Sequence, residues 1–534
     1  MPNLQRAFCV ACFWVALLGT VFPAAAELRY AAELLPPEIG TPAGMNDHGV
    51  VVGSVEPAGG GAYQGVKWDP ATGLFTYSGI PAGMEKFFAK DINNAGEVCG
   101  TARNGLSEFR AVYWETGRLV MLPQGGDYNF SEGNAINEFG YIGGEGTSAV
   151  EGFEHRFGVI WDGRWESVDR TLPSSKTPPT WHEFYDINDS GEVVGGAPPT
   201  DDFYSRAVRY DPASNQLINL GKLDGTERSK ALAVNESHVV VGYCQLASGN
   251  ADARAVYWDA VNVLHDLTPV LPPWPGAYPV RPYRGAWARD INDNGVILIE
   301  GQAGEHRNIF LYNPATDTEA VNVEDLLTGP SAGLDMIYPV CINNPGQILC
   351  YGDNWAPMVL HPYEVEANQV AGGTDVVADL MGGAGGPDPG GCDALFDTVT
   401  QEGTFTGHYD TDGLDHFAMM FLQDDAAKDD LAILLPGDPF QYWVLDFEGG
   451  DFGEAAVTLH YDDTLVGDET ALQVAHFTGG AWEYLVPTAL DPVGNTLTVD
   501  LTSFSPLVLV MPEPATLGLL ALGGLGVLLR RRKT

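Results

Sequence analysis

The sequence offers chemistry in three forms: clustered carboxylates, recurring tryptophans and scattered histidines. The densest cluster is Asp410-Thr411-Asp412-Gly413-Leu414-Asp415, bracketed by His408 and His416. Hard oxygens at Asp410, Asp412 and Asp415 suit calcium, but the distal glutamate of an EF-hand loop is missing at its spacing. The segment therefore reads as a solvated hairpin turn. Asp290-Ile291-Asn292-Asp293-Asn294-Gly295 and Asp186-Ile187-Asn188-Asp189-Ser190-Gly191 also look calcium-like. The same frame recurs around Asn343 without the acids, as a turn would and a metal loop would not. Adjacent acids at Asp201-Asp202, Asp424-Asp425, Asp429-Asp430 and Asp462-Asp463 suit acid/base hydrolysis only in principle, because strand neighbours point apart. Trp68, Trp114, Trp161 and Trp258 could stack on sugars, yet one fixed position in an apolar strand predicts core. No nucleophile elbow, zinc signature, phosphate loop or dinucleotide fingerprint occurs in a usable context. The histidines form no HxxxH or HxH pair. No catalytic, cofactor-binding or metal-ligating residue is assigned, and no cofactor is expected.

What positions these residues is a repeat. Aligned on one asparagine, the chain reads Met45-Asn46-Asp47-His48-Gly49, Ile92-Asn93-Asn94-Ala95-Gly96 and Ile136-Asn137-Glu138-Phe139-Gly140. Ile187-Asn188-Asp189-Ser190-Gly191, Val234-Asn235-Glu236-Ser237-His238, Ile291-Asn292-Asp293-Asn294-Gly295 and Ile342-Asn343-Asn344-Pro345-Gly346 follow, at spacings of 47, 44, 51, 47, 57 and 51 residues. Most copies also carry a segment such as Ala111-Val112-Tyr113-Trp114 or Ala255-Val256-Tyr257-Trp258-Asp259. Asn and Gly supply turn chemistry, and the flanking apolar runs are strands. Four short antiparallel strands per unit make a propeller blade. Repeat five departs with His238 in place of Gly, and repeats six and seven place the later Gly at 301 and 352. Repeat seven lacks an outer strand, which Leu28–Leu35 is placed to supply; an open solenoid is the alternative. These repeats resemble the extracellular HAF repeats, with their Ile-Asn-x-x-Gly core and Ala-x-x-Trp strand. The resemblance spans about residues 28–363 and implies an extracellular propeller-like scaffold without a defined chemistry.

A composition break follows Tyr363. From residue 365 to 511 there are 26 acidic residues and one basic residue, Lys428. Strands are predicted at Gly403–Tyr409, Phe417–Leu422, Tyr442–Phe447, Ala456–Tyr461, Leu472–Phe477, Leu497–Leu501 and Leu507–Val510, which suits a β-sandwich. The last hundred residues of this region look like a sandwich module found beside surface anchors in exported bacterial proteins. The whole chain carries 27 basic against 71 acidic residues, a net charge of −44, which disfavours a nucleic-acid partner. Cys99, Cys244, Cys341, Cys350 and Cys392 show no disulfide spacing. Cys341 and Cys350 flank one hairpin and could pair, though two small buried hydrophobes is the preferred reading.

The termini carry addresses. Arg6, the apolar stretch Ala7–Val21 and Pro23-Ala24-Ala25-Ala26 form a secretory signal peptide, with Ala24 and Ala26 before cleavage at Glu27. At the other end, Pro512-Glu513-Pro514 precedes the uncharged run Ala515–Leu529 and the basic Arg530, Arg531, Arg532 and Lys533. As a helix the run spans roughly 22 Å, short of a bilayer core of about 30 Å, and the arginines can snorkel. The basic cluster stays cytoplasmic and the rest faces outward. This triple closely resembles the PEP-CTERM sorting signal, which implies recognition and processing by a bacterial exosortase.

The expected protein is all-β. It has a signal peptide over 1–26, a seven-bladed β-propeller over 27–363, an acidic β-sandwich over 364–511 and a sorting signal over 512–534 with its transmembrane helix at 515–529. The expected function is a non-enzymatic, exported surface or matrix scaffold, at least transiently membrane-anchored. Its partners are an exosortase-type membrane protease or transpeptidase and extracellular polysaccharide or other surface proteins. A glycan- or protein-binding propeller, using loops such as Leu271–Arg284, and a propeller-based polysaccharide hydrolase are the alternatives.

Overall fold

The computed structural model describes residues 25–510 except 57–61, 106–107, 125–129, 151–152, 165–166, 173–181, 199–203, 247–252, 273–284, 304–305, 328–335, 353–354, 371–372, 381–391, 402, 411–440, 449–450, 462–471, 479–480, 493–494 and 505. Ala24, Pro512, Glu513, Pro514, the run Ala515–Leu529 and Arg530, Arg531 and Arg532 lie outside the described residues. So do Asp412, Asp415, His416, the four adjacent acid pairs and most of the loop after Leu271. Among the described residues, no helix is long and apolar enough to cross a membrane. Helical structure there is limited to short 3-10 turns such as Pro37–Ile39 and Val323–Leu326. Two compact units divide the chain: Leu28–Tyr363 with Gly413–Ala432, and Met1–Glu27 with Glu364–Asp412 and Ile433–Thr534.

In the repeat unit, repeat four shows the common plan. Glu183–Ile187, Val193–Ala197, Arg206–Asp211 and Gln216–Gly221 pair in that order as an antiparallel sheet. The inner strand ends at Asn188, and Gly191 at φ 75° closes the turn by donating its N–H to the Asn188 carbonyl at 3.0 Å. Six such four-stranded sheets run from Thr41 to Asn322. In repeat seven, Met336–Ile342, Ile348–Gly352 and the start of Pro357–Val370 pair in order, and Ala25–Leu34 lies beside the last. The Leu35 N–H donates to the Pro357 carbonyl at 3.0 Å, and Glu33 meets the His361 imidazole at 2.9 Å. The N-terminal strand therefore fills the place that the last repeat leaves open.

Apolar clusters tie each sheet to the next. Cys99, Ala111 and Tyr113 of repeat two pack with Ile142, Val159 and Trp161 of repeat three. Leu349 and Val359 of repeat seven pack with Met45, Val51 and Trp68 of repeat one. Trp68, Trp114, Trp161 and Trp258 are all buried, and the indole N–H groups of Trp161 and Trp258 donate to the Pro123 and Leu220 carbonyls at 2.6 and 2.7 Å. Their ring faces are spent on packing between sheets.

A bulge in each inner strand explains the recurring strand glycine. The register breaks between Ala89 and Asp91, Phe184 and Asp186, and Ala231 and Ala233. The bulge leans a carbonyl onto the next strand. A Cβ at Gly100, Gly195 or Gly242 would come within 2.1, 2.0 and 2.0 Å of the carbonyl oxygens of Phe88, Glu183 and Lys230. Gly301 and Gly352 do not take this role in repeats six and seven: Ile299 opposes Ala288 and Cys350 opposes Pro339 there.

In the acidic unit, one antiparallel sheet orders Gly373–Leu380, Cys392–Gln401, Ala455–His460, Thr496–Leu501 and Ala489–Asp491. The other orders Gly403–Asp410, Tyr442–Glu448, Pro506–Val510, Gln473–Thr478 and Ala481–Leu485. Phe396, Val457 and Leu497 of the first sheet share one core with Phe405, Trp443 and Leu507 of the second. Alternation places that core: Val457 and Leu459 are buried while Ala456 and Thr458 are half-buried. Phe417–Leu422 lies outside the described residues. All five described cysteines are free thiols.

Candidate functional site

The asparagines that end the inner strands form a closed ring of hydrogen bonds. Asn46 Nδ2 donates to the Asn93 carbonyl at 3.1 Å, Asn93 to Asn137 at 2.9 Å and Asn137 to Asn188 at 3.1 Å. Asn188 donates to Asn235 at 3.2 Å, Asn235 to Asn292 at 3.0 Å, Asn292 to Asn343 at 3.1 Å and Asn343 back to Asn46 at 3.0 Å. Each Oδ1 meanwhile accepts the N–H four residues on, as Asn93 does from Glu97 at 3.0 Å. The amide is needed because one atom must donate and the other accept.

The next residue of each turn builds a second ring. The Asp47 N–H donates to Asn94 Oδ1, Asn94 to Glu138, Glu138 to Asp189, Asp189 to Glu236, Glu236 to Asp293, Asp293 to Asn344 and Asn344 to Asp47. Five of these seven acceptors are carboxylates, so the turn end of the ring is strongly negative. Burial, with Asp189 and Asp47 nearby, pushes the Glu138 carboxyl up, and burial beside Asp189 does the same for Glu236.

Below these rings the bulges turn backbone N–H groups inward, and three aspartates collect them in pairs. Asp91 accepts from Ile92 and Ile136, Asp186 from Ile187 and Val234, and Asp290 from Ile291 and Ile342, all at 2.8–2.9 Å. The Met45 N–H lies against the Cys341 thiol. Burial pushes Asp91 and Asp290 up to about 7 and Asp186 up to about 6, against the pull of those N–H groups. These residues line a cavity of about 410 Å³ to which all seven repeats contribute. Such a cavity attracts cations. Among the described residues, however, no group of three or more acid, His or Cys side chains is arranged to hold a metal. In the calcium-like frames, Asp186 and Asp290 each accept two backbone N–H groups.

His238, the outlier of repeat five, adopts φ 61° in the glycine's place, and its ring meets Glu192 at 2.8 Å. The opposite ends of the strands carry a different chemistry that sequence reasoning missed. Arg156 stacks 4.7 Å over the Phe130 ring and pairs with Glu145 at 3.2 Å. Glu145 is buried, and that burial pushes its carboxyl up to about 7 despite Arg156; its Oε2 has no hydrogen-bond partner among the described residues. Burial also opposes ionisation of Glu183, but hydrogen bonds from Lys230 and Tyr185 outweigh it and hold the carboxyl below its usual range. Tyr338, Tyr351 and Trp355 cluster with centroids 5.9–6.4 Å apart, flanked by Arg289 and Arg307 on Glu300. The only earlier signal was the placement of Phe, Tyr and Arg at strand ends far from the Asn turns.

Comparison with known proteins finds a PEP-CTERM protein-sorting motif at residues 512–533. That tail is an exosortase recognition signal and indicates an exported, surface-sorted protein. No curated protein sequence matches the chain. Similar solved structures include TolB from Acinetobacter baumannii, at 9% identity and TM-score 0.31 over 64% of this chain and 97% of that one. The β-propeller domain of the Trilobed protease from Pyrococcus furiosus is similar at 11% identity and TM-score 0.30, covering 55% of this chain and 96% of that one. Pyrococcus horikoshii acylaminoacyl peptidase is similar at 10% identity and TM-score 0.38, over 72% of this chain and 58% of that one.

Proposed function

We propose that this chain is a non-enzymatic scaffold or interaction protein of the cell surface or extracellular matrix, delivered there by export and processed through its tail. The sorting motif at residues 512–533 carries this reading. A signal peptide ending at Ala24-Ala25-Ala26 starts export, and Ala515–Leu529 holds the chain transiently with Arg530–Lys533 inside. An exosortase-type protease or transpeptidase then acts near Pro512-Glu513-Pro514. The exported body is a closed seven-bladed propeller of HAF-like repeats followed by a β-sandwich. The asparagine ring, closing from Asn343 onto Asn46, and the strand Ala25–Leu34 beside Pro357–Val370 support the closed ring. The core shared by two sheets supports the sandwich.

A short helix containing Gly518, Gly523, Gly524 and Gly526 suits a temporary stop better than a lasting anchor, since glycine weakens helices. Intact-mass analysis of the protein from its native host tests this. The expected species begins at Glu27 and has lost the tail, and replacing Pro512-Glu513-Pro514 by alanines restores the full C-terminus. A membrane-held chain still ending at Thr534 in the unaltered protein would refute processing.

A further inference from the structure

We propose that the far end of repeats one to three, opposite the Asn turns, is a docking surface for an acidic carbohydrate chain. This rests on the surface-protein reading above and names the class of partner. The observation is a ladder of alternating flat rings and cations. Lys86 Nζ sits 5.3 Å from the Tyr63 ring centre, and Tyr63 stacks on Phe88 with centroids 5.6 Å and planes 28° apart. The Arg103 guanidinium lies 5.1 Å from the Phe88 ring and 4.6 Å from the Phe109 ring, and Phe109 meets Phe130 at 5.1 Å. Lys86 is exposed, and the other five side chains are half-buried, so the ladder's edge faces solvent.

Two facts separate this ladder from ordinary packing. The first is charge. Several cations elsewhere in the unit are matched, Arg164 by Glu97, Arg209 by Glu192, Arg254 by Asp266 and Lys230 by Glu183, while Arg228 over the Tyr204 ring has no carboxylate partner among the described residues. Lys86 and Arg103 have no carboxylate partner among the described residues, and Arg103 Nε has no hydrogen-bond partner there. In a chain of 71 acids, leaving these donors unmatched points to a ligand that brings its own anions. The second fact is shape. Ring planes accept the flat C–H faces of sugars, and a guanidinium takes a carboxylate through two parallel hydrogen bonds. A uronic-acid chain presents both features in alternation, whereas an acidic polypeptide satisfies the charges and leaves the rings unmatched. The net charge of −44 does not forbid this approach, because at physiological salt charges more than about 8 Å apart are largely screened.

The test is biolayer interferometry of the full-length chain in mild detergent on immobilised polygalacturonate, with dextran and polyglutamate as comparison surfaces. Polygalacturonate should bind, more weakly as salt rises, and dextran should bind far less. Arg103→Gln and Phe109→Ala should each weaken binding about tenfold, the size of one charge-assisted contact. Arg103→Lys, which keeps charge without the flat fork, should fall between. Arg118→Gln, at the Asn-turn end, should change nothing. Should Arg103→Gln fail to fold by its melting curve, Lys86→Gln at an exposed position supplies the charge test, with a several-fold loss. Absence of polygalacturonate binding, or binding that both charge variants leave intact, overturns the proposal. Polyglutamate bound as tightly and lost in the same variants assigns the surface to an acidic protein instead. None of these results bears on tail processing, which the mass measurement decides separately.

Discussion

Asn137→Ala is the perturbation that most directly tests the asparagine ring. The residue is 5% exposed; its Oδ1 accepts from the Phe139 and Tyr141 N–H groups at 3.1 and 2.9 Å, and its Nδ2 donates to the Asn188 carbonyl at 3.1 Å. Alanine removes all three bonds and strands the groups in a poorly hydrated turn. At about 1 kcal/mol per bond, plus desolvation of what is left unpaired, the loss is about 2–4 kcal/mol. In a unit of this size that lowers the melting temperature by roughly 3–6 °C. Asn137→Asp sharpens the test, because it keeps the acceptor and loses the donor unless the acid is protonated. Its native pKa must rise above the unfolded value of about 3.9, so the variant should be near wild type below that pH and weaken as pH rises. Near-ultraviolet circular dichroism during heating and urea titration, at pH 4 and pH 8, reads both effects. The closing link makes the comparison decisive: Asn343 donates to Asn46 across 297 residues of sequence. Asn343→Ala should cost as much as Asn137→Ala. A cost below about 1 kcal/mol there, beside the full cost at Asn137, would mean that the ring is open in solution and refute the reasoning.

Three further outcomes are expected. Because Asp91 and Asp290 sit near 7 and Asp186 near 6 when folded, against about 3.9 unfolded, the native state holds more protons between those values. Their contribution to stability therefore declines as pH rises through that window, and Asp290→Asn should flatten the slope of melting temperature against pH. Buried His182, pushed down to about 4, works the other way, its contribution being lost as pH falls from about 6.5 towards 4. Gly195→Ala should cost about 3 kcal/mol or more, since its Cβ would lie 2.0 Å from the Glu183 carbonyl oxygen. Gly73→Ala, at φ 64° with nothing within 4 Å of its Cβ, should cost only about 1 kcal/mol in urea titration. Burial pushes the fully buried Cys99 thiol well above its usual range, so it should resist a thiol-specific reagent until denaturant is added.

The repeat was legible because its turn chemistry is local. Asn followed by Gly three positions later was visible in the sequence, and the repeat spacings equal the separations bridged by the ring's hydrogen bonds. The exception at His238 was visible too, but not that it would hold a left-handed turn and meet Glu192. Other features depend on partners far apart in the chain. The strand Cys392–Gln401 escaped notice because the exposed Leu395 and the buried Val399, three positions after Phe396, break its apolar alternation. The pairing of inward N–H groups on Asp91, Asp186 and Asp290 follows from bulges, which leave no mark in composition. Tyr63, Phe88, Phe109 and Phe130 occupy unrelated places in their repeats, and only the sheet-to-sheet packing makes them neighbours.

The two ends of the repeat therefore differ in their freedom to vary, and the seven copies in this one chain measure the difference. At the turn, the residue is Asn in every copy, because its amide must donate to one repeat and accept within its own. Ten residues later, at or just past the far end of the second strand, the first six copies hold Glu56, Arg103, Thr147, Pro198, Gln245 and Gln302. Among the described residues no ring of hydrogen bonds like that of the asparagines runs through this position, so a substitution there should leave the closure intact. The negative cavity under the turns is correspondingly committed: its carboxylates already serve as acceptors for backbone N–H groups, and recruiting them to a ligand would break the links that hold the repeats. Partner choice is cheapest to encode where the scaffold makes no demand. On the docking proposal this favours recognition at the far end, where in repeats one to three Lys86 and Arg103, without carboxylate partners among the described residues, lie against aromatic rings.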